Sequence, residues 1–335
     1  MARDIRIDQV AALFSEGVSP DAPTRGELRR RRDEVLRESP KERLVRLFGA
    51  LRHGLSPQRL SETWAAVDLV LRDRSICPLD LPDPEQALSK PDGLCGITAD
   101  LSPEAIIDAY TRGLHLGGSV GRPTWWSPSQ RYVLSPGDTH ISGKVRGLLL
   151  RRDARVTFDR SPYEVIAACA RPEPHAGANY RGEERRASRR GFSPERARSY
   201  ANLFDTGVAH SVEVRGATGT LEAGIVGLSL GRVFVIETLF GAADMVDLAL
   251  VVLHRHLAAW GYELIDAKQL KGLARLGFAP VPRAEFRART IGLFHGGRRG
   301  RWQVDRAHCG VEPAQVPASD AAKVQGSKPG LKLAA

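Results

Sequence analysis

Between Val208 and Lys268 apolar and polar positions alternate in short runs, and then switch to a helical period. The alternation predicts strands at Ala209–Val214, Glu222–Leu230 and Val233–Phe240. Gly216-Ala-Thr-Gly219 joins the first two, and Gly231-Arg232 is short enough to close a hairpin between the second pair. A helix is predicted from Asp244 to Ala259, with acids early and His254, Arg255 and His256 late, as the helix dipole favours. Gly261 stops it, and Glu263–Asp266 reads as a short buried strand that ends on a carboxylate. A meander, a helix and a return strand make an α+β module. Glu237 and Asp266 both sit where strands end, so they are the first candidates for chemistry.

The same reading places further elements upstream. Ser102 caps a helix with Pro103 in its first turn, Ile106, Ile107 and Tyr110 on one face, and Gly113 as its stop. Of the adjacent Trp125 and Trp126, either one lines a substrate cleft or both are core. Tyr132–Leu134 and Arg155–Phe158 read as strands, and Ile141–Leu150 and Ser161–Cys169 as helices. Ser193-Pro194 opens another helix, with Ala197, Tyr200, Ala201 and Phe204 at helical spacing and Gly207 at its end. Leu270–Leu276 reads as helical, and Val281–Phe286 closes the fold. The first 90 residues predict a mostly helical extension, with helices over Arg25–Ser39, Glu42–Leu51 and Ser56–Leu71, and the stretch beyond Pro313 lacks any core pattern.

Charge changes the picture. The 335 residues carry a formal net charge of +10, and the sequence pI is about 9.8. Either a polyanionic partner or a freely solvated arginine-rich surface accounts for that. Between Arg171 and Arg190 the chain is poor in apolar residues and rich in arginine. Arg181, Arg185, Arg186, Arg189 and Arg190 are candidate phosphate contacts there, with a solvated insertion as the alternative. Four scattered cysteines, with no C-x-x-C and no regular histidine spacing, predict neither a disulfide framework nor a metal site. No apolar run is long enough to span a bilayer, and Met1–Gln9 lacks the order of a signal peptide. A cytoplasmic protein without a membrane partner is expected.

Several words of the sequence, taken in order, resemble the leucyl/phenylalanyl-tRNA–protein transferases. They are DLSPEAIIDAYTRG (100–113), WWSP (125–128), YVLSPGDTHIS (132–142), RVTFDRSPYEVIAACA (155–170), AHSVEV (209–214), GIVGLSLGRVFVIETLF (224–240), LID (264–266) and LGF with VPRAEF (276–286). The resemblance implies an enzyme that moves leucine or phenylalanine from its tRNA ester to the amino terminus of a protein beginning with Arg or Lys, marking it for proteolysis. It implies an acyltransferase-like (GNAT-like) mixed sheet with flanking helices, no cofactor, and a monomer whose partners are aminoacyl-tRNA and an acceptor protein or peptide. The ester is already activated, so the task is to hold ester and amine together and remove a proton.

Residue by residue, Asp266 matches the family's catalytic aspartate and Glu237 the acid of its G-E-S-M-F-S word. The walls of an amino-acid pocket fall at Ile225, Thr238, Leu239, Phe240 and Leu253. Departures are plain. Lys268 stands where the family has a relay glutamine, and Leu116-Gly-Gly-Ser-Val120 replaces a tryptophan-bearing word. If the strand continues past Asp266, Lys268 emerges on the same face, lowers that carboxyl's pKa and stabilises an oxyanion. The domain division is an extension over 1–90, the first part of the transferase over 91–170, the arginine-rich insert over 171–192, the catalytic domain over 193–305 and a tail over 306–335. The alternatives are an acyltransferase with another donor or a small acceptor, and a non-catalytic descendant that binds RNA or protein.

Overall fold

The computed structural model describes residues 30, 32–54, 68, 81–117, 123–151, 154–170, 193–298, 300–305 and 308. Among the described residues ten strands form two sheets. The small sheet has β1 (Leu94–Ile97), β3 (Thr124–Trp126) and β2 (His115–Gly117) in that order, all antiparallel. Its strands are only three or four residues long, too short for alternation to announce them.

The large sheet contains β4 (Gln130–Leu134), β5 (Arg155–Phe158), β6 (Ala209–Arg215), β7 (Leu221–Leu230), β8 (Val233–Gly241), β9 (Leu264–Asp266) and β10 (Ala279–Pro282). Its order is β10-β4-β9-β8-β7-β6-β5. β5 to β8 form the expected meander, and the helix that follows carries the chain back so that β9 lies parallel to β8. β4 then pairs antiparallel with β9, which encloses that three-residue strand between two neighbours.

The described residues include seven helices: α1 (Pro40–Gly54), α2 (Pro103–Thr111), α3 (Gly143–Arg151), α4 (Pro162–Ala170), α5 (Pro194–Asp205), α6 (Ala243–Ala259) and α7 (Arg283–Thr290). The Ser102 and Ser193 hydroxyls accept from the Ala105 and Arg196 amides, which satisfies one orphan N–H at the start of α2 and of α5. Gly113 and Gly207 follow those helices at φ 89° and 74°, a conformation open to glycine. In α1, by contrast, Leu44, Val45, Leu47 and Phe48 are exposed. The expected helix over 56–71 apart from residue 68, the insert over 171–192 and the tail beyond 308 lie outside the described residues, as do 25–29 and 31 of Arg25–Ser39, whose described part is helical only as far as Val35. Leu270–Leu276 is a 3-10 turn over Lys271–Leu276 rather than an α-helix.

Helices cover both faces of the large sheet, so two apolar clusters form. On one face Ile106, Tyr110, Ile166, Tyr200 and Leu203 pack on Val226, Val233 and Val235. On the other, α6 lays Leu250, Val251, Leu253 and Leu257 against Ile225, Phe234, Ile236 and Ile265. Burial on both sides explains why β7 and β8 read as nearly continuous apolar runs.

The second cluster also swallows His254, which is fully buried with Nδ1 2.8 Å from the Thr139 hydroxyl. Burial pulls its pKa down to about 3. The unfolded chain takes a proton near the ordinary value of 6.5, whereas the folded chain refuses it until about pH 3. Stability is therefore lost as the pH falls through that window, by up to about 1.4 kcal/mol per pH unit from this group. Denaturant unfolding of wild type and His254→Asn between pH 7 and pH 4 checks this. The variant should show the shallower loss.

Candidate active site

The site is built where β8 stops being regular. Val226 of β7 faces Thr238 and Gly227 faces Ile236, which leaves Glu237 as the extra residue of a β-bulge. Without the bulge, Glu237 and Thr238 would point to opposite faces. With it, Glu237 turns toward the α2 and α5 side, and Thr238 reaches Cys169 of α4 on that same side. The parallel pairing of Val235 with Asp266 brings the second carboxylate to the same face.

Asp266 is fully buried and both its oxygens are taken. Arg131, two residues before the Val133 that faces Asp266 across the sheet, sends Nε to Oδ1 at 3.2 Å and a terminal nitrogen to Oδ2. That guanidinium also bonds the Gly113 carbonyl at 3.4 Å and lies 4.6 Å above the Phe286 ring. Its remaining contact is His115 Nδ1 at 3.1 Å. A guanidinium only donates, so His115 Nδ1 accepts and the imidazole carries its proton on Nε2. Burial, then the positive charges of Arg131, Lys268 and Arg196, hold the His115 pKa well below its ordinary value.

Lys268 corrects the sequence reading. The strand does not continue past Asp266. Lys268 adopts φ 54°, a left-handed conformation costly for a side-chain-bearing residue. Its amide donates to Asp266 Oδ1 at 2.8 Å, and its carbonyl accepts from the Tyr132 amide at 2.7 Å, so the turn is pinned on both sides. The side chain swings away from Asp266 toward Glu237. Its ammonium bonds the Glu237 carbonyl oxygen at 2.8 Å and Oε2 at 3.2 Å. The expected Lys268–Asp266 side-chain pair is thus a Lys268–Glu237 pair. Burial lowers the Lys268 pKa, against the opposing pull of Glu237.

Glu237 is the hub. Oε2 also accepts from the Tyr200 hydroxyl at 2.5 Å, while Arg196 Nε donates to that hydroxyl oxygen at 2.8 Å and Arg196 stands 3.7 Å from Oε2. Burial alone would raise the Glu237 pKa. Lys268, Arg196, Tyr200 and Tyr110 outweigh it, and the carboxyl titrates below its ordinary value. Burial and the negative charge of Glu237 push Tyr110 and Tyr200 well above the ordinary tyrosine range, so both stay protonated donors. One atom is left over: Glu237 Oε1 is buried and makes no hydrogen bond of ordinary geometry.

The structure thus brings Glu237, Asp266 and Lys268 together. Arg131, Tyr110, Tyr200, Arg196 and His115 complete the set, though sequence reasoning had not assigned them to it. Tyr110 and Tyr200 were visible as polar tips on apolar helix faces. Arg131, at a strand start, carried no signal of burial. The five pocket residues do not share one face. Ile225, Leu239 and Leu253 pack with α6, whereas Thr238 and Phe240 turn toward the opposite cluster: neighbours along a strand alternate, and the bulge decides which of the three face which side.

Trp125 is core at 1% exposure, and Trp126 is half-buried with Nε1 held by the Thr124 hydroxyl at 2.7 Å. The Trp126 indole lies over Gly117, where a Cβ would sit 2.3 Å from its ring. Glycine at 117 is what admits that ring. The five candidate arginines of the insert lie outside the described residues.

A profile of the family described as leucyl/phenylalanyl-tRNA protein transferase matches residues 133–290, which span β4 through α7 and so contain both carboxylates. A leucyl/phenylalanyl-tRNA–protein transferase of Aromatoleum aromaticum is 37% identical over 232 residues, covering 68% of this chain and 93% of that protein. The chain belongs to the leucyl/phenylalanyl-tRNA–protein transferase family. The transferase of Azotobacter vinelandii is 36% identical over 62% of this chain and 88% of its own length. That of Aeromonas hydrophila is 39% identical over 61% and 83%. Among solved structures, the L-PGS of Bacillus licheniformis overlaps with a TM-score of 0.28 at 12% identity, over 50% of this chain and 58% of that one. So slight a likeness carries no weight. Among the described residues no helix is long and apolar enough to cross a membrane.

Proposed function

We propose that this chain transfers leucine or phenylalanine from aminoacyl-tRNA to the amino terminus of an acceptor protein. Glu237 is the group that receives the attacking amine. The observation that carries this role is its buried Oε1, which makes no hydrogen bond of ordinary geometry, beside an Oε2 that Tyr200 and Lys268 already hold. A buried acceptor left poorly satisfied costs up to about 1–3 kcal/mol, and an incoming ammonium relieves that cost. Held there, the ammonium gives one proton to the Glu237 carboxylate, and the free amine attacks the ester carbonyl. A second proton passes from nitrogen to the 3′-oxygen of the tRNA as it leaves, the new amide replaces the ester, and Glu237 returns its proton to solvent. Asp266 takes a different part from the one the sequence suggested. Its oxygens are filled by Arg131 and by the Lys268 amide, so it acts by fixing the turn that aims Lys268 at Glu237. The mixed sheet with helices on both faces is what an acyltransferase-like domain requires. No cofactor is needed, and the cytoplasm, where charged tRNA resides, is the fitting compartment.

Trp126 is the aromatic ring best placed to face the donor, being half-exposed beside a glycine. The arginine-rich insert supplies phosphate contacts. Transfer of radiolabelled leucine from Leu-tRNA to a peptide panel tests the activity, and tRNA binding at several salt concentrations tests the insert. Neutralising Arg185, Arg186, Arg189 and Arg190 together should weaken binding and flatten its salt dependence. Unchanged binding would reduce the insert to a solvated loop.

A further inference from the structure

Arg196 is a buried cation whose place in the transfer reaction has no assignment. The i to i+4 spacing puts Arg196 and Tyr200 on one face of α5, with the guanidinium carbon 5.4 Å from the centre of the Tyr200 ring. The turn that carries Arg196 is fixed. Ser193 accepts from its amide at 3.3 Å, and the Ser199 hydroxyl donates to its carbonyl at 2.8 Å. Its side chain is only 12% exposed, and a charge held so far from water needs partners.

A phenol has one proton, and a guanidinium only donates. Arg196 Nε donates to the Tyr200 oxygen at 2.8 Å, so the Tyr200 proton is turned on to Glu237 Oε2, 2.5 Å away. Tyr110 is locked in the same sense. Its oxygen accepts from the Leu116 amide at 3.0 Å, and its proton faces the Glu237 carboxylate. From the turn after β9, Lys268 brings its ammonium to 3.2 Å, and Arg196 itself stands 3.7 Å from Oε2. The charges next to these are matched: Asp266 by Arg131, with neutral His115 behind Arg131. Lys268, Tyr200, Tyr110 and Arg196 thus all present donors to Glu237. The O–H of a protonated Glu237 would need an acceptor, and none of the four supplies one.

Resting on the transferase reading above, in which Glu237 takes a proton from the amine, we propose that Arg196 is a positioning residue for that step. By fixing the Tyr200 hydroxyl as a donor, it keeps Glu237 ionised between turnovers and expels the proton that the carboxylate picks up. Without Arg196 the Tyr200 hydroxyl can turn and accept from a protonated Glu237, and one of the two cations that favour the carboxylate is gone. Arg196 acts through Tyr200 and through its charge, not on the reacting atoms.

The test follows leucine transfer from Leu-tRNA to one peptide by the full-length protein, from about pH 5 to about pH 8. Dividing the kcat/KM of a variant by that of wild type at each pH cancels the ionisation of the peptide amine. An opposite charge within a few ångströms is worth about 1–3 pH units to a carboxyl. For Arg196→Met the ratio should therefore be at least about threefold lower at the acid end than at the alkaline end. Arg196→Lys, which keeps a cation and a donor, should hold the ratio nearer to level. Circular dichroism at each pH confirms that the variants are folded. Should Arg196→Met not fold, Tyr200→Phe removes the locked donor, and its ratio should fall with pH in the same direction. A ratio that is reduced equally at every pH would make Arg196 structural and overturn the proposal, with the transferase reading left standing. No transfer by wild type from intact Leu-tRNA or Phe-tRNA would bring down the transferase reading, and this role of Arg196 with it.

Discussion

Glu237→Gln should cut kcat/KM for transfer by about a hundredfold or more while leaving the fold intact. The substitution keeps the size of the side chain, so the β-bulge and the Tyr200 and Lys268 contacts retain their geometry. It removes the charge that Lys268 and Arg196 neutralise and that an ammonium would seek. If the amide's oxygen turns to Tyr200 and Lys268, its NH2 replaces the bare acceptor with a donor that repels the incoming amine. Loss of one positioned acid–base or charge-stabilising group costs about 10²–10³ in rate. Single-turnover transfer from Leu-tRNA, with thermal unfolding as the control for stability, measures it. Wild-type turnover in a folded Glu237→Gln protein would show that the carboxylate only balances charge.

Arg131→Ala should be the most destabilising single change in the site, by about 3–5 kcal/mol, because it strands the fully buried Asp266 without its counter-ion. Asp266→Asn should cost less, since the amide oxygen can still accept from the Lys268 amide and so preserve the left-handed turn. The double change Arg131→Met with Asp266→Leu removes both charges together, and it should be more stable than Arg131→Ala alone. Denaturant unfolding of the three variants decides the point. Activity separates the roles further. If Asp266 works by fixing the turn, Asp266→Asn lowers transfer modestly. A thousandfold loss in a stable Asp266→Asn protein would make the carboxylate a direct participant instead.

These effects come from a site that was half legible in the sequence. Glu237 and Asp266 were found as acids within an apolar module, although Glu237 sits at a bulge inside β8 and not at a strand end as expected, and the strands, the long helix and the serine caps fell close to where the alternation put them. Boundaries of that kind depend on local physics: β-branched residues in alternation, a serine before proline, a glycine with positive φ. Which of Thr238, Leu239 and Phe240 turn to which side is not contained in the local pattern. A bulge inserts one residue in β8 without changing its composition, and from Thr238 onward the faces exchange. The Lys268 error has a similar origin, since an extended strand was assumed where the chain turns left-handed.

By itself, then, the sequence determined the α+β order of elements, the two carboxylates, the strand and helix limits near them and, through its ordered words, the family. These follow from periodicity and short-range propensity, which a linear string carries. Tertiary structure alone decided which charge meets which. Arg131 reaches Asp266 across 135 positions, and Tyr200 and Lys268 reach Glu237 across 37 and 31. Burial fixes those partnerships, because a charge removed from water must find an opposite charge or a hydrogen bond. It also leaves Oε1 of Glu237 as the one carboxylate oxygen of the pair with no hydrogen bond of ordinary geometry. Which oxygen that would be depended on a bulge, a left-handed turn and the packing of α2 and α5, and only the folded chain sets all three.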